Sequence, residues 1–221
     1  NWNGIVGKIE LQSTPEVFFE DIQVYPDLAG KKALVRMNVR ASSSVKGEIA
    51  LSARSFNTNV NHEIAPVYQT VTVRKGDNPL EMELPMGQNF LTWDEFSPAL
   101  YRLTATLKNG KQIETKQVQF GMREFTINGK WFYVNGRKTM LRGTVENCDF
   151  PLTGYAPMDV ASWERVFRIC RSYGLNHMRF HSFCPPEAAF IAADLVGFYL
   201  QPEGPSWPNH GPKLGNGQPI D

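Results

Sequence analysis

Cysteine is scarce in this sequence: there are three in 221 residues, at Cys148, Cys170 and Cys184. An odd count with no CxxC spacing argues against a disulfide framework and against a zinc site. Charge of one sign is also lacking, since 23 basic and 22 acidic residues leave a net +1 with no long run of either. A phosphate backbone needs a basic stripe, so no nucleic-acid partner is expected. No stretch approaches the roughly 20 apolar residues that cross a bilayer as a helix, so no membrane partner is expected either. The chain opens at Asn1 with neither a methionine nor a signal peptide. Its compartment is therefore unknown, with a periplasmic or secreted location favoured. What is present is ordinary for a globular chain: 42% hydrophobic and 20% charged residues, enough for a core and a wet surface.

Up to about residue 121 the sequence reads in twos. Val35, Met37 and Val39 alternate with Arg36, Asn38 and Arg40, and Tyr101, Leu103, Ala105 and Leu107 alternate with Arg102, Thr104 and Thr106. Val71 and Val73 do the same beside Thr70, Thr72 and Arg74. Strict alternation means strands with one buried and one wet face, as in antiparallel sheets. Asn109-Gly110 marks a two-residue hairpin. About seven short strands between Val17 and Phe120 predict an immunoglobulin-like β-sandwich over residues 15–121. Two further Asn-Gly pairs, at 128–129 and 135–136, flank Trp131, Phe132 and Tyr133 and predict a tight hairpin leading into a strand over 138–145.

The period then becomes helical. Trp163, Val166, Phe167, Cys170 and Tyr173 form one apolar stripe. Asp159 is placed as its N-cap and Gly174 as its left-handed C′ residue. A short strand follows over 176–182, then a helix over 187–196 opened by Pro185 and Pro186 and closed by Gly197, then a strand over 198–202. The order β-α-β-α-β with short loops requires parallel strands and right-handed crossovers. Three parallel strands cannot close a barrel and leave edges exposed as an open sheet; a small doubly wound domain is the alternative but normally needs more strands, so truncation of a (β/α)8 TIM barrel is the economical expectation.

In such architectures the chemistry sits at the C-terminal ends of the strands. That rule assigns Arg142, Glu146, Asn147 and Asp149 to the first strand and Arg179, His181 and Ser182 to the second. Glu203 falls to the third, with Trp207 and His210 on the loop beyond. These groups suit sugar recognition: carboxylates and amides grip hydroxyls, Arg and His donate, and Trp offers a flat apolar face. Each has a structural alternative. Arg142 contacts ligand or neutralises carboxylates in the barrel mouth, His181 binds or is a satisfied structural histidine, and Trp207 stacks a sugar or packs its loop between Pro205 and Pro208. Glu203 leans furthest toward a site role, because a carboxylate at a strand end is costly without partners.

At these residues the sequence resembles glycoside hydrolase family 2, the β-galactosidase, β-glucuronidase and β-mannosidase group. The likeness runs from Asn3-Gly4-Ile5 and Val24-Tyr25-Pro26, through Trp93 with Pro98-Ala99-Leu100-Tyr101, to Val134-Asn135-Gly136 and Leu141-Arg142-Gly143. It continues with Asn176-His177-Met178-Arg179, Asp194-Leu195-Val196-Gly197 and Glu203. The resemblance implies three parts: residues 1–14 as the tail of a preceding sugar-binding jelly roll, 15–121 as the sandwich, and 122–221 as the start of a TIM barrel with about three strands and two helices. It implies a retaining exo-β-glycosidase acting on terminal β-linked sugars of oligo- or polysaccharides. Its acid/base Glu would follow the fourth strand and its nucleophile the seventh, so no catalytic residue is assigned here and the piece is expected to be inactive alone. Arg142, Arg179 and Glu203 correspond to active-site framework positions; Asn147, His181, Trp207 and His210 complete the expected substrate-binding set. The partners implied are a carbohydrate substrate, the rest of the barrel and the N-terminal domain. Departures are present: Phe180-His181-Ser182-Phe183-Cys184-Pro185 exchanges His and Ser relative to galactosidase-like members, Asn147 replaces a common His, and Trp207 stands where a metal-binding Glu would be. No metal or cofactor is therefore assigned, and the sugar is left unnamed. Two other readings stand beside this one. One is a non-catalytic carbohydrate-binding or structural β-sandwich module; the other is a small complete hydrolase using Glu203 with Glu146 or Asp149.

Overall fold

The computed structural model of the chain describes residues 7–204. It divides between Thr139 and Met140 into two compact units, the first being Glu10–Thr139. Of the segment 1–14, residues 7–14 are exposed and carry no strand, and residues 1–6 lie outside the described residues.

In the first unit the alternating stretches form seven strands: β1 Val17–Asp27, β2 Lys32–Ala41, β3 Val45–Phe56, β4 Glu63–Val73, β5 Gly76–Pro85, β6 Leu100–Asn109 and β7 Gln112–Phe120. They make a three-stranded sheet, β1-β2-β5, and a four-stranded sheet, β4-β3-β6-β7. Every pairing is antiparallel. Val35, Met37 and Val39 of one sheet and Leu103, Ala105 and Leu107 of the other belong to a single buried cluster. Each large aliphatic side chain so buried contributes about 1.5–3 kcal/mol of transfer free energy. At one edge of that core the Tyr101 hydroxyl accepts from the Leu91 N–H at 2.8 Å and bonds His62 Nδ1 at 2.8 Å. The core aromatic thus has its polar tip satisfied.

A second small sheet belongs to the same unit: β8 Phe125–Asn128, β9 Trp131–Val134 and β10 Arg137–Thr139, in the order β10-β9-β8. Asn135 connects it to the sandwich, because its Nδ2 donates to the Trp93 carbonyl at 3.0 Å and its Oδ1 accepts from the Glu124 N–H at 2.9 Å. The Asn-Gly pairs are not used alike. At 135–136 both residues have positive φ, 51° and 75°, as a type I′ loop requires. In the other two hairpins Asn109 and Asn128 are still paired, so Gly110 and Gly129 stand first in the loop and alone take the positive φ.

The second unit holds β11 Gly143–Glu146, α1 Val160–Ser172, β12 His177–Phe180, α2 Glu187–Val196 and β13 Tyr199–Gln201. The strands are parallel in the order β11-β12-β13. Met178 and Phe180 pack with Trp163 and Phe167 of α1 and Ala189 and Ala192 of α2 in a second buried cluster. By the two-residue period of a strand, His177 and Arg179 point to the opposite face. The helix ends follow their local signals. Asp159 Oδ1 accepts from the Ser162 N–H at 2.8 Å. At the far end Gly174 (φ 79°) closes a Schellman motif, with its N–H on the Arg171 carbonyl and that of Leu175 on the Cys170 carbonyl. Gly197, likewise left-handed, ends α2.

Two expectations need correction. The strand over 138–145 does not exist as one element. It breaks into β10 and β11 in different sheets, because the backbone at Met140 and Arg142 is bonded by the side chain of Asn176 rather than by another strand. Tyr173, placed on the buried stripe of α1, is 82% exposed. It is the C-cap residue, with φ −92° and ψ 9°, so it has already left the helical geometry that would turn it inward.

Candidate functional site

The C-terminal ends of the three parallel strands bring one group of side chains together. Beyond β12 the His181 N–H donates to the Glu146 carbonyl at the end of β11, at 2.9 Å. This continues the β11–β12 pairing by one residue. The next residue, Ser182, takes a left-handed φ of 62°. A non-glycine residue held there costs on the order of 1–2 kcal/mol, and the turn it makes aims its N–H at Glu203 Oε2, 2.9 Å away. The other oxygen of Glu203 accepts from Arg179 Nε on the last turnless stretch of β12. The Glu203 N–H in turn donates to the Phe183 carbonyl at 3.2 Å.

Glu203 is therefore held at both oxygens. The Arg179 guanidinium, the Ser182 N–H and the nearby His181 together keep its carboxyl below the usual carboxylate range. Both oxygens act as hydrogen-bond acceptors in this arrangement, and a general acid would need the opposite shift. Arg179 remains partly exposed, with 41% of its side chain accessible, and has N–H groups beyond the one given to Glu203. Among the described residues the side chain paired with Glu203 is a cation, Arg179.

The same device recurs one strand over. After β11 Cys148 takes φ 61°, and its N–H donates to Glu146 Oε1 at 2.9 Å, with Asp149 N–H at 3.4 Å from the same oxygen. Glu146 is thereby turned back on its own loop, and Asn147 stands exposed between them.

Arg142 is not part of this group. It precedes β11, at the N-terminal end of the sheet, where its Nε donates to the Gly174 carbonyl at 2.7 Å and its Nη1 to the Met140 carbonyl at 3.3 Å. One of these carbonyls, that of Gly174, lies just beyond the C-terminus of α1, where positive charge is favoured. The assignment of Arg142 to a strand's C-terminal end followed from the strand over 138–145 and falls with it. Trp207 and His210 lie outside the described residues. Among the described residues no group of three or more His, Cys, Asp or Glu side chains is arranged to hold a metal ion.

Two residues matter more than their sequence signals suggest. Asn176, 2% exposed, donates to the Met140 carbonyl at 3.0 Å and accepts from the Arg142 N–H at 2.7 Å, and its own N–H reaches the Arg142 carbonyl. It holds the chain where it enters β11. His177, beside it, lies across from Gly143, where an added Cβ would stand 2.4 Å from the imidazole Nδ1. Burial pushes the His177 imidazole below its ordinary pKa, so it is held neutral. The only advance sign of Asn176 is an amide residue just before a strand and two after a C-cap glycine; the left-handed Ser182 and Cys148 have none.

The family model for glycosyl hydrolases family 2 matches residues 17–123, which contain the seven-stranded sandwich. A β-galactosidase of Thermoanaerobacterium thermosulfurigenes is 29% identical over 116 residues, covering 52% of this chain and 16% of that protein. Among solved structures, a family 2 glycosyl hydrolase from Bacteroides cellulosilyticus superposes with a TM-score of 0.72 at 23% identity, over 86% of this chain and 25% of the other. The β-glucuronidase of Parabacteroides merdae superposes with a TM-score of 0.66 at 26% identity, over 86% of this chain and 24% of the other. The chain thus spans a quarter or less of the length of these relatives. The seven sandwich strands thus lie within the stretch, residues 17–123, that matches the model of glycosyl hydrolases family 2, and these glycoside hydrolases are what the chain is similar to.

Proposed function

We infer that this chain supplies the sandwich and the first β/α units of the TIM barrel of a retaining exo-β-glycosidase that removes terminal β-linked sugars from oligo- or polysaccharides. The observation that carries the reading is the Arg179–Glu203 pair, oriented by the Ser182 N–H at the C-terminal ends of parallel strands. Such a pair is a rigid wall against which a sugar hydroxyl can be placed, since both partners retain unused donors or lone pairs. Arg179, His181 and Glu203, with Asn147 exposed beside them, form that wall; Trp207 and His210 extend it in this reading. Arg142 is a scaffold residue.

Retention needs two carboxyls about 5–5.5 Å apart, one with a raised pKa. Glu203 is shifted the other way and is occupied, so the reacting pair belongs to other β/α units of the whole enzyme. The jelly roll before residue 15 and the remainder of the barrel are the partners this implies. The purified chain, assayed on aryl β-galactosides, β-glucuronides and β-mannosides, should show no turnover above that of its Glu203→Gln variant. Turnover that Glu203→Gln abolishes would overturn the reading and restore a catalytic role to this carboxylate.

A further inference from the structure

The outer face of the sheet β4-β3-β6-β7 carries a cleft that the glycosidase reading leaves unused. Its floor is built from outward-facing residues of three adjacent strands: Ser52 and Arg54 on β3, Arg102 and Thr104 on β6, and Gln117 on β7. The loop between β3 and β4 walls one side, and the volume is about 1040 Å³. That is at the upper end of what small-ligand sites occupy.

Register dictates what faces what. Ser52 is directly across from Thr104, which is across from Gln117, giving a row of two hydroxyls and an amide at the spacing of neighbouring strands. One step along, Arg54 is directly across from Arg102. Like charges in that position repel, and a sheet ordinarily avoids them. Arg54 is compensated by Glu63 at 3.1 Å. Arg102 has no acidic partner among the described residues. Its guanidinium lies over the Phe56 ring, 4.9 Å from the centroid. Stacking on an aromatic ring fixes the plane of the guanidinium and leaves its edge N–H groups directed outward as a fork. An uncompensated guanidinium beside a row of hydroxyl and amide groups suits an oxyanion attached to a polyhydroxylated ring, and a planar carboxylate meets the fork with both oxygens.

We propose that this cleft binds a carboxylate-bearing saccharide, a uronic-acid unit of a glycan, with Arg102 forking the carboxylate and Ser52, Thr104 and Gln117 meeting ring hydroxyls. The site is built from residues of the sandwich alone and shares none with the strand ends that carry the glycosidase reading, and it stands or falls without any hydrolysis. The test is titration of the isotope-labelled chain, followed by amide chemical shifts, with trigalacturonate, with the same trisaccharide after carboxyl reduction, and with triglutamate. Trigalacturonate should give saturable shifts centred on Ser52, Arg102, Thr104 and Gln117, and the reduced sugar and the peptide should bind about tenfold more weakly or worse. Arg102→Gln should weaken trigalacturonate binding about tenfold and Arg102→Lys by less, because lysine keeps the charge and loses the fork. Glu63→Gln, which releases Arg54, should strengthen it. Arg102 is exposed, so the spectrum away from the cleft should be unchanged in these variants. The proposal is overturned by an absence of saturable shifts up to about 20 mM ligand, by equal binding of the reduced sugar, or by triglutamate binding as tightly as the uronide.

Discussion

Asn176 does with one side chain what strand pairing does elsewhere in the sheet. Its amide donates to one backbone carbonyl and accepts from one backbone N–H, at Met140 and Arg142, so it stands in for the edge of a neighbouring peptide. Removing it would leave the Arg142 N–H without its acceptor and the Met140 carbonyl with only the longer bond from Arg142 Nη1, in a site where Asn176 itself is 2% exposed. Asn176→Ala should therefore destabilise by about 2–4 kcal/mol, two lost hydrogen bonds and the desolvation left behind, read by chemical denaturation. Asn176→Asp separates the two bonds: a carboxylate still accepts from Arg142 but meets the Met140 carbonyl with like charge, so it should not rescue. Near-neutral stability of both variants would show that the contacts are incidental. At this scale the sequence was legible in part. Arg179 and Glu203 could be assigned to strand ends because a short parallel strand has only one C-terminal end. Their partner Ser182 could not, since its left-handed backbone is imposed by the fold and not by its own chemistry. Arg142 was misplaced because its location depends on where a strand begins.

That dependence belongs to the element scale, where local and distant determinants part company. The limits of α1 are written next to it: Asp159 at the N-cap and Gly174 at C′ each act within four residues. The same holds for α2, opened after Pro186 and closed by Gly197. The break between β10 and β11 has no such local author. It is set by Asn176, 34 residues downstream, while Lys138 and Val145 stand in what looks like one extended run. Alternation reports which face a residue takes, not where one sheet hands the chain to the next. Asp159 accepts the Ser162 N–H with one oxygen and the Ser162 hydroxyl with the other, both at 2.8 Å, and its carboxyl is held below the usual range by those bonds. Asp159→Ala should lower the melting temperature, and Asp159→Asn should lower it distinctly less, because the amide keeps an acceptor for the orphan N–H. The effect of Asp159→Ala should shrink as pH falls below the aspartate range. A carboxyl whose folded pKa is depressed stabilises above its unfolded pKa and loses that contribution as pH falls through the folded one. Thermal melts of wild type and variant across pH 3–7 would measure the convergence; a constant difference would place the stabilisation elsewhere.

For the whole chain, the arrangement of cores decides what can stand alone. The larger cluster runs from Val17 to Met122 and contains inward residues of all seven sandwich strands, so none of its buried members comes from beyond Thr139. The hairpin sheet β8–β10 adds the bonds of Asn135 to Trp93 and Glu124, also within Glu10–Thr139. A unit whose core and closing bonds are its own meets the condition for independent folding. Residues 10–139 expressed alone should then unfold in one cooperative transition, with an enthalpy near 60 °C of about 90 kcal/mol for about 130 residues. Within that piece Leu103→Ala, which empties a site buried on the four-stranded sheet, should cost about 2–5 kcal/mol. Ending the piece at Phe120 instead removes Met122, a buried member of the same cluster whose carbonyl accepts the Trp93 N–H at 2.9 Å. The shorter piece should melt several degrees lower. Equal melting temperatures would mean that the sandwich is finished at its seventh strand, and that the hairpin sheet is carried by it without supporting it.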